Sequence, residues 1–173
     1  MPQPPPVPGR AGSRNMITPS LRVLIVDDHA RFRELLRRVV ESRPDLEYAG
    51  AAADGTAALA RAEVTRPHVV LMDLHMPGLS GIDATRELVR RHPLTRVLIL
   101  TATGDERSVV AAIRAGARGY LLKDNHPDDI ARAISEVARG SAVFGPEVAD
   151  PLLCALAGQL PPPNEAARPR PDG

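Results

Sequence analysis

The sequence alternates between short, uninterrupted apolar runs and stretches in which apolar residues recur at helical spacing. Uninterrupted apolar runs bounded by turn residues are typical of strands that are buried on both faces, as in a parallel sheet covered by helices. Five such runs occur, at residues 23–26, 46–53, 68–72, 96–100 and 119–122, and the second is the weakest. The pattern therefore predicts five strands of a parallel sheet.

The stretches between the runs have the apolar period of amphipathic helices. The first contains one face made of residues at positions i, i+3, i+4, i+7 and i+8, namely Phe32, Leu35, Leu36, Val39 and Val40. Further helices are predicted over 56–66 and 81–91, each of which ends near a proline, and around 109–113 and 130–137. Five strands that alternate with five helices predict an α/β fold with helices on both faces of the sheet.

The prolines divide the chain into a compact part and two tails. Of the 18 prolines, six fall in residues 1–19 and five in residues 161–173. We therefore expect a disordered proline-rich arm over 1–20, a compact domain over 21–140, a short helical linker or stub over 141–160, and a disordered tail over 161–173.

Composition excludes several classes of function. The net charge of +1 gives no basic excess for nucleic-acid binding, and two Phe, two Tyr and no Trp are too few for a base-stacking surface. No apolar run approaches the roughly 20 residues that cross a bilayer. Cys154 is the single cysteine, so no internal disulfide can form. These features predict a soluble cytoplasmic protein that does not bind membranes.

Residues with phosphoryl-transfer chemistry follow four of the five predicted strands. Asp27 and Asp28 follow the first, Asp73 the third, Thr101 the fourth and Lys123 the fifth. Because ligands bind beyond the carboxyl ends of parallel strands, we expect these side chains to share one site. Three carboxylates without a thiolate or a His pair favour Mg²⁺, and a hydroxyl and an ammonium would complete a pocket for a tetrahedral dianion. Such a set suits transfer of a phosphoryl group to a carboxylate.

Each of these residues also has an ordinary interpretation. A single Asp after a strand is usually a turn residue or a helix cap, and a single Lys is usually a solvated surface residue. The combination is more specific than its parts, since these residues follow four different predicted strands. Lys123 is moreover the one lysine among 22 basic residues, and a compact ammonium fits beside a phosphoryl group better than a broad guanidinium.

Four stretches, in this order along the chain, resemble the receiver domain of two-component response regulators of the NarL/LuxR type. They are VLIVDDHARFRELLRRVV, VVLMDLHMPGLSGIDAT, VLILTA and GARGYLLKD, and the resemblance covers roughly residues 21–140. It implies the CheY-like, flavodoxin-like fold, a five-stranded parallel sheet with strand order 2-1-3-4-5. It also implies a sensor histidine kinase as phosphoryl donor, Mg²⁺ as cofactor, and no catalytic turnover beyond phosphorylation and dephosphorylation of the domain itself.

The resemblance also implies a role for individual residues. Asp73 would be the phosphoacceptor, and Thr101 and Lys123 would contact the phosphoryl group. Asp28 and Asp73 would bind Mg²⁺ together with the backbone carbonyl of His75, and Asp27 would act mainly through metal-bound water. Tyr120 would turn inward on activation, with Thr101 as its partner in the switch. Pro77 and Gly81 would shape the loop after Asp73.

Three histidines lie at or near the predicted site and the start of the fifth helix. The side chain of His75 is either a solvated loop residue or a modest influence on the dephosphorylation rate. His126 stands where Ser or Thr often caps a helix, so Asn125 or Asp124 is expected to cap instead. His29, beside the acidic pair, is expected to be a loop residue rather than a metal ligand.

The segment after residue 140 lacks the features of a DNA-binding module. It contains no Lys or Arg from residue 140 to residue 167, where three acidic residues give a charge of −3. We expect no helix-turn-helix and no DNA binding by this chain. The apolar residues Val148, Leu152, Leu153 and Leu156 predict a short helix, broken or started by Pro151, that is either a packed helix or linker stub or a dimerisation or partner-docking helix.

Two functions fit this organisation. The first is a stand-alone receiver that switches protein–protein interactions with an unidentified partner or a second copy of itself. The second is the receiver of a truncated or decayed NarL/LuxR-type transcription regulator. A Mg²⁺-dependent phosphohydrolase with an Asp nucleophile would share the carboxylates, but the order of the motifs argues against it.

Overall fold

The computed structural model describes residues 20–157. The predicted arm and tail lie outside these residues, except for Ser20, so the predicted domain boundaries stay predictions. The strands are β1 (Leu21–Val26), β2 (Leu46–Ala52), β3 (Val69–Met72), β4 (Arg96–Thr101), β5 (Gly119–Leu122) and β6 (Val143–Phe144). The helices are α1 (Ala30–Glu41), α2 (Gly55–Thr65), α3 (Gly81–Arg91), α4 (Glu106–Arg114), α5 (Pro127–Ala138) and α6 (Pro146–Ala157).

All strand pairs are parallel, and the sheet has the order β2-β1-β3-β4-β5-β6. The predicted order of the first five strands is therefore confirmed. The sixth strand was not predicted, because two residues are too few to produce a periodic apolar signal.

Each central strand contributes alternate residues to two separate apolar cores. On one face, Val23 and Ile25 of β1 pack with residues of α1 and α5. On the other face, Leu24 and Val26 pack in the core that includes residues of α2, α3, α4 and α6. This two-sided burial explains why the central strands are uninterrupted apolar runs in the sequence.

Two helix predictions need correction. His126 itself is the N-cap of α5, and its Nδ1 accepts a hydrogen bond from the backbone N–H of Asp128 at 3.3 Å, so neither Asn125 nor Asp124 takes that position. Pro151 neither starts nor breaks the last helix, since α6 begins at Pro146 and continues through it. The side chain of Leu156 lies outside the described part of the structure.

Within residues 20–157, no helix is both long enough and apolar enough to cross a membrane.

Candidate functional site

The carboxyl ends of β1, β3, β4 and β5 bring the predicted residues to one edge of the sheet. The chain leaves these strands in register: the N–H of Asp73 donates to the carbonyl of Val26 at 2.9 Å, and that of Lys123 donates to the carbonyl of Thr101 at 2.8 Å. Backbone pairing thus continues to the first residue beyond the strands. It fixes the positions from which the functional side chains project.

Lys123 joins two buried carboxylates. Its Nζ lies 2.6 Å from Asp27 Oδ2 and 2.8 Å from Asp73 Oδ2, and the side chains of both aspartates are almost completely buried. Burial alone would lower the pKa of Lys123, but the hydrogen bonds to Asp27 and Asp73 outweigh it and raise that pKa above the usual range. The ammonium therefore stays charged, and it also lies 4.9 Å from the centre of the Phe32 ring.

The acidic residues form a cluster that could hold a metal ion. One potential ligand atom from each of Asp27, Asp28, His29 and Asp73 lies within 4.8 Å of the others. Lys123 compensates one of the three carboxylate charges, so an added cation would be attracted to the cluster.

The fit of a divalent cation can be judged from Asp28. Its Oδ1 is buried and accepts no hydrogen bond from any described residue. His29 Nδ1 is 2.7 Å away, but the pair does not have hydrogen-bond geometry. A buried carboxylate oxygen without a partner is costly, and an oxygen-preferring cation such as Mg²⁺ would satisfy it. The residues present therefore fit Mg²⁺.

His75 makes a contact that the sequence did not reveal. Its ring Nδ1 lies 3.2 Å from Thr101 Oγ1, and its backbone N–H donates to Asp73 Oδ1 at 3.4 Å. The side chain of His75 is exposed, whereas Thr101 is completely buried. His75 is thus more than a solvated loop residue, since its ring is within hydrogen-bond distance of the Thr101 hydroxyl at the end of β4. Its predicted role as a carbonyl ligand of Mg²⁺ stays a prediction.

Tyr120 lies inside the protein and forms a hydrogen bond with the loop between β4 and α4. The residue is fully buried, and its hydroxyl donates to the carbonyl of Thr103 at 2.8 Å. Burial, assisted by the charges of Asp105 and Asp73, raises the pKa of the phenol well above its usual value, so it stays protonated. The structure shows the inward position, and the predicted inward turn on activation stays a prediction.

Gly81 allows the start of α3 to lie against Asp73. A Cβ added at Gly81 would overlap the backbone carbonyl of Asp73, and it would lie only 2.7 Å from the Cα of Leu74. Any side chain here would push the loop away from the site. The sequence indicated this residue through its motif, and the structure supplies the physical reason.

Residues 23–135 match the family model described as the response regulator receiver domain. The chain belongs to this family. Among curated proteins, this receiver is 38% identical over 133 residues to the transcriptional regulatory protein DegU of Brevibacillus brevis, across 77% of the chain and 56% of DegU. It is 33% identical over 133 residues to the nitrate/nitrite response regulator NarL of Escherichia coli K12, across 77% of the chain and 61% of NarL.

Solved structures agree with this assignment. A LuxR-family two-component response regulator from Aurantimonas sp. SI85-9A1 superimposes with a TM-score of 0.75 at 33% identity, over 80% of this chain and 99% of that chain. The signal receiver domain of a NarL from Mycobacterium tuberculosis gives a TM-score of 0.68 at 34% identity, over 70% of this chain and 98% of that chain. The resemblance to NarL/LuxR-type receivers and the CheY-like fold are therefore confirmed. The chain spans little more than half the length of the curated relatives, 56% of DegU and 61% of NarL.

Proposed function

We propose that this receiver accepts a phosphoryl group on Asp73 from a sensor histidine kinase, with Mg²⁺ as cofactor, and thereby switches protein–protein interactions. The observation that carries the proposal is the position of Asp73. Its carboxylate is buried against Lys123 at 2.8 Å, at the edge of the sheet where Asp27 and Asp28 also lie.

The chemistry is an in-line transfer to a carboxylate oxygen. One oxygen of Asp73 forms the new bond to phosphorus, while the bond from phosphorus to the donor nitrogen breaks and that nitrogen keeps the electron pair. Asp28, Asp27 and Asp73, together with the carbonyl of His75, would hold Mg²⁺, which supplies positive charge for the phosphoryl oxygens. Lys123 supplies a second positive charge, 2.8 Å from Asp73 Oδ2.

Phosphorylation would change the contacts of Lys123 and Thr101. The acyl phosphate carries about two negative charges and three acceptor oxygens. These attract the ammonium of Lys123 away from the Asp27–Asp73 pair and the hydroxyl of Thr101 away from His75. The loop from Thr101 to Asp105 would follow, because Thr103 in that loop accepts the hydrogen bond of Tyr120. The switch works as a shift between two populations, biased by the better contacts of the phosphoryl group in one of them.

A second candidate function is control of transcription within a longer regulator. DegU is named a transcriptional regulatory protein, and the matched region is 56% of its length. In this case the same phosphorylation would act on a DNA-binding module. Both candidates require phosphorylation of Asp73. They differ in whether a separate protein or a DNA-binding module of the same chain responds to it. The coding sequence downstream of residue 173 distinguishes them, since only the second requires a DNA-binding module there.

Asp73→Asn tests the proposal. We expect the wild type to gain the mass of one phosphoryl group when it is incubated with acetyl phosphate and Mg²⁺, as measured by intact-protein mass spectrometry. The variant should gain none, because an amide oxygen is a poor nucleophile and forms no stable acyl phosphate. Asp128→Asn is the matched control, since it makes the same chemical change at an exposed carboxylate of α5 that lies near His126. Normal phosphorylation of Asp73→Asn would refute the assignment.

A further inference from the structure

His29 lies in the loop between β1 and α1, and both of its backbone polar groups are hydrogen-bonded. Its N–H donates to Asp27 Oδ1 at 2.8 Å, and its carbonyl accepts from the N–H groups of Phe32 and Arg33 in the first turn of α1. The residue is the N-cap of α1, but its side chain accepts no capping hydrogen bond. The imidazole is therefore not used to begin the helix and is available for another contact.

The ring of His29 lies against the acidic pair. Its Nδ1 is 2.7 Å from Asp28 Oδ1 and 3.4 Å from Asp27 Oδ1. Among the described residues, it is the histidine whose ring lies within 4 Å of two different carboxylate groups. The side chain is 69% exposed, so an ion from solution can reach it.

Two explanations of this contact have opposite consequences for a cation. In an ion pair, a ring N–H would donate to Asp28 Oδ1, and the positive ring would repel an added cation. In a ligand pair, Nδ1 and Oδ1 would both direct a lone pair at the same ion. Asp28 Oδ1 is buried and accepts no hydrogen bond, although Nδ1 is only 2.7 Å away. This geometry favours the ligand pair.

The candidate ligand atoms are close enough to surround one cation. One atom from each of Asp27, Asp28, His29 and Asp73 lies within 4.8 Å of the others. Ligand atoms of one divalent cation are at most about 4.4 Å apart, twice a metal–ligand distance of roughly 2.2 Å. The cluster therefore needs only small side-chain shifts to reach the size of a coordination sphere.

The charge of the cluster favours a neutral ligand at position 29. Lys123 compensates one of the three carboxylates, and a divalent cation would balance the remaining two. A neutral imidazole adds a ligand atom without adding charge. Imidazole nitrogen suits first-row transition cations, whereas Mg²⁺ prefers oxygen ligands and keeps several waters. The ring would therefore contribute to the binding of one class of cation more than to that of the other.

We propose that His29 is a specificity-determining ligand of the divalent-cation site, whose Nδ1 increases the preference of the site for transition cations such as Co²⁺ over Mg²⁺. The proposal rests on the metal site of the proposed function and deepens it. Mg²⁺ would be held by oxygens alone, whereas a transition cation would also bind the imidazole. This role differs from the expectation, drawn from the sequence, that His29 is a loop residue only.

Calorimetric titration of the full chain with Co²⁺ alone or Mg²⁺ alone measures the contribution of the ring. We expect His29→Ala to lower the affinity for Co²⁺ about 10-fold or more, because even the loss of a residue that only orients a metal ligand costs about 10- to 100-fold. The affinity for Mg²⁺ should fall much less, since oxygens supply its ligands. The variant removes no capping hydrogen bond, so α1 should still form.

His126 provides a matched control for the loss of an exposed ring. Its side chain is also 69% exposed, and its Nδ1 lies 3.6 Å from Asp128 Oδ2, which is not part of the metal cluster. His126→Ala should therefore leave both affinities at their wild-type values.

NMR of the Co²⁺-loaded protein gives a direct signature of the bond. The paramagnetic ion shifts the ring protons of a coordinated imidazole far outside their ordinary range. We expect such signals in the wild type and in His126→Ala, and we expect them to be absent from His29→Ala.

Several outcomes would overturn the role of His29. Equal Co²⁺ affinities of the wild type and His29→Ala would exclude a ligand, and an equal loss of affinity for both cations would exclude the specificity. A higher affinity of the variant would indicate an ion pair that repels cations.

The function of Asp73 is checked separately on the same preparation. If the wild type gains one phosphoryl group from acetyl phosphate and Mg²⁺, as measured by mass spectrometry, each of these outcomes refutes the role of His29 alone. A wild type that binds neither cation and gains no phosphoryl group would refute both proposals.

Discussion

At the scale of single residues, the contact of His75 with Thr101 ties the loop after Asp73 to the end of β4. Thr101 is completely buried, and among the described residues the ring of His75 is the hydrogen-bond partner of its hydroxyl. If Thr101 has to reach the phosphoryl group, this bond must first break. The imidazole therefore opposes the switch by about the net value of one hydrogen bond, roughly 1 kcal/mol.

His75→Ala should make phosphoryl mimics bind more tightly. Removing a bond worth about 1 kcal/mol predicts roughly fivefold higher affinity for beryllofluoride, measured by titration in the presence of Mg²⁺. The control is a double-mutant cycle with Thr101→Ala, in which the hydroxyl is already absent. There the change at His75 should have little further effect. An equal gain with and without the Thr101 hydroxyl would contradict this role of the ring.

Some residue contacts could be predicted from the sequence and others could not. Asp27, Asp73 and Lys123 were expected to meet because the carboxyl ends of parallel strands share an edge, and the structure brings them within hydrogen-bond distance. The contact between His75 and Thr101 depends on the path of a loop and on a side-chain rotamer. No periodic pattern records either of these.

At the scale of the elements, α3 carries a cluster of ion pairs on its surface. Glu87 accepts hydrogen bonds from Arg90 and Arg91, three and four residues later on the helix. These two arginines lower the pKa of Glu87 from 4.5 to about 2. Because the folded-state pKa is the lower one, Glu87 stabilises the fold above pH 4.5, and this contribution is lost as the pH falls toward 2.

Glu87→Gln should remove that part of the acid sensitivity. In urea unfolding, we expect the free energy of unfolding to fall less steeply for the variant than for the wild type between pH 4.5 and pH 2. The difference should shrink in high salt, since the group lies at the surface and is screened. Identical slopes for the two proteins at low salt would show that the ion pairs of Glu87 with the two arginines do not stabilise the fold.

The apolar pattern of the sequence predicts some elements and misses others. The central strands and the helices α1, α3, α4 and α5 have enough apolar residues to set a period. β6 is too short for a period, and its existence depends on pairing with β5. Pro151 suggested a helix boundary, because proline disfavours a helix interior. Packing on α4 overrides that preference, and only the tertiary structure contains this information.

At the scale of the whole molecule, the first residues beyond β1, β3 and β5 meet through one side chain. Lys123 holds Asp27 and Asp73 together across the sheet, and Tyr120, three residues before it, connects β5 to the loop before α4 and to the segment that enters α6. A change of charge at Asp73 therefore affects the contacts of Lys123 in the site. It also affects the part of the fold formed by β5, the loop before α4 and the segment that enters α6. This arrangement gives a physical basis for the proposed switch.

Mapping of the modified residue tests the central claim most directly. After incubation with acetyl phosphate and Mg²⁺, borohydride reduction converts an aspartyl phosphate to homoserine, and peptide mass spectrometry identifies the residue. The account predicts homoserine at position 73 and unmodified side chains at Asp27 and Asp28, which serve as internal controls. Homoserine at either of those two residues, with Asp73 unmodified, would contradict it.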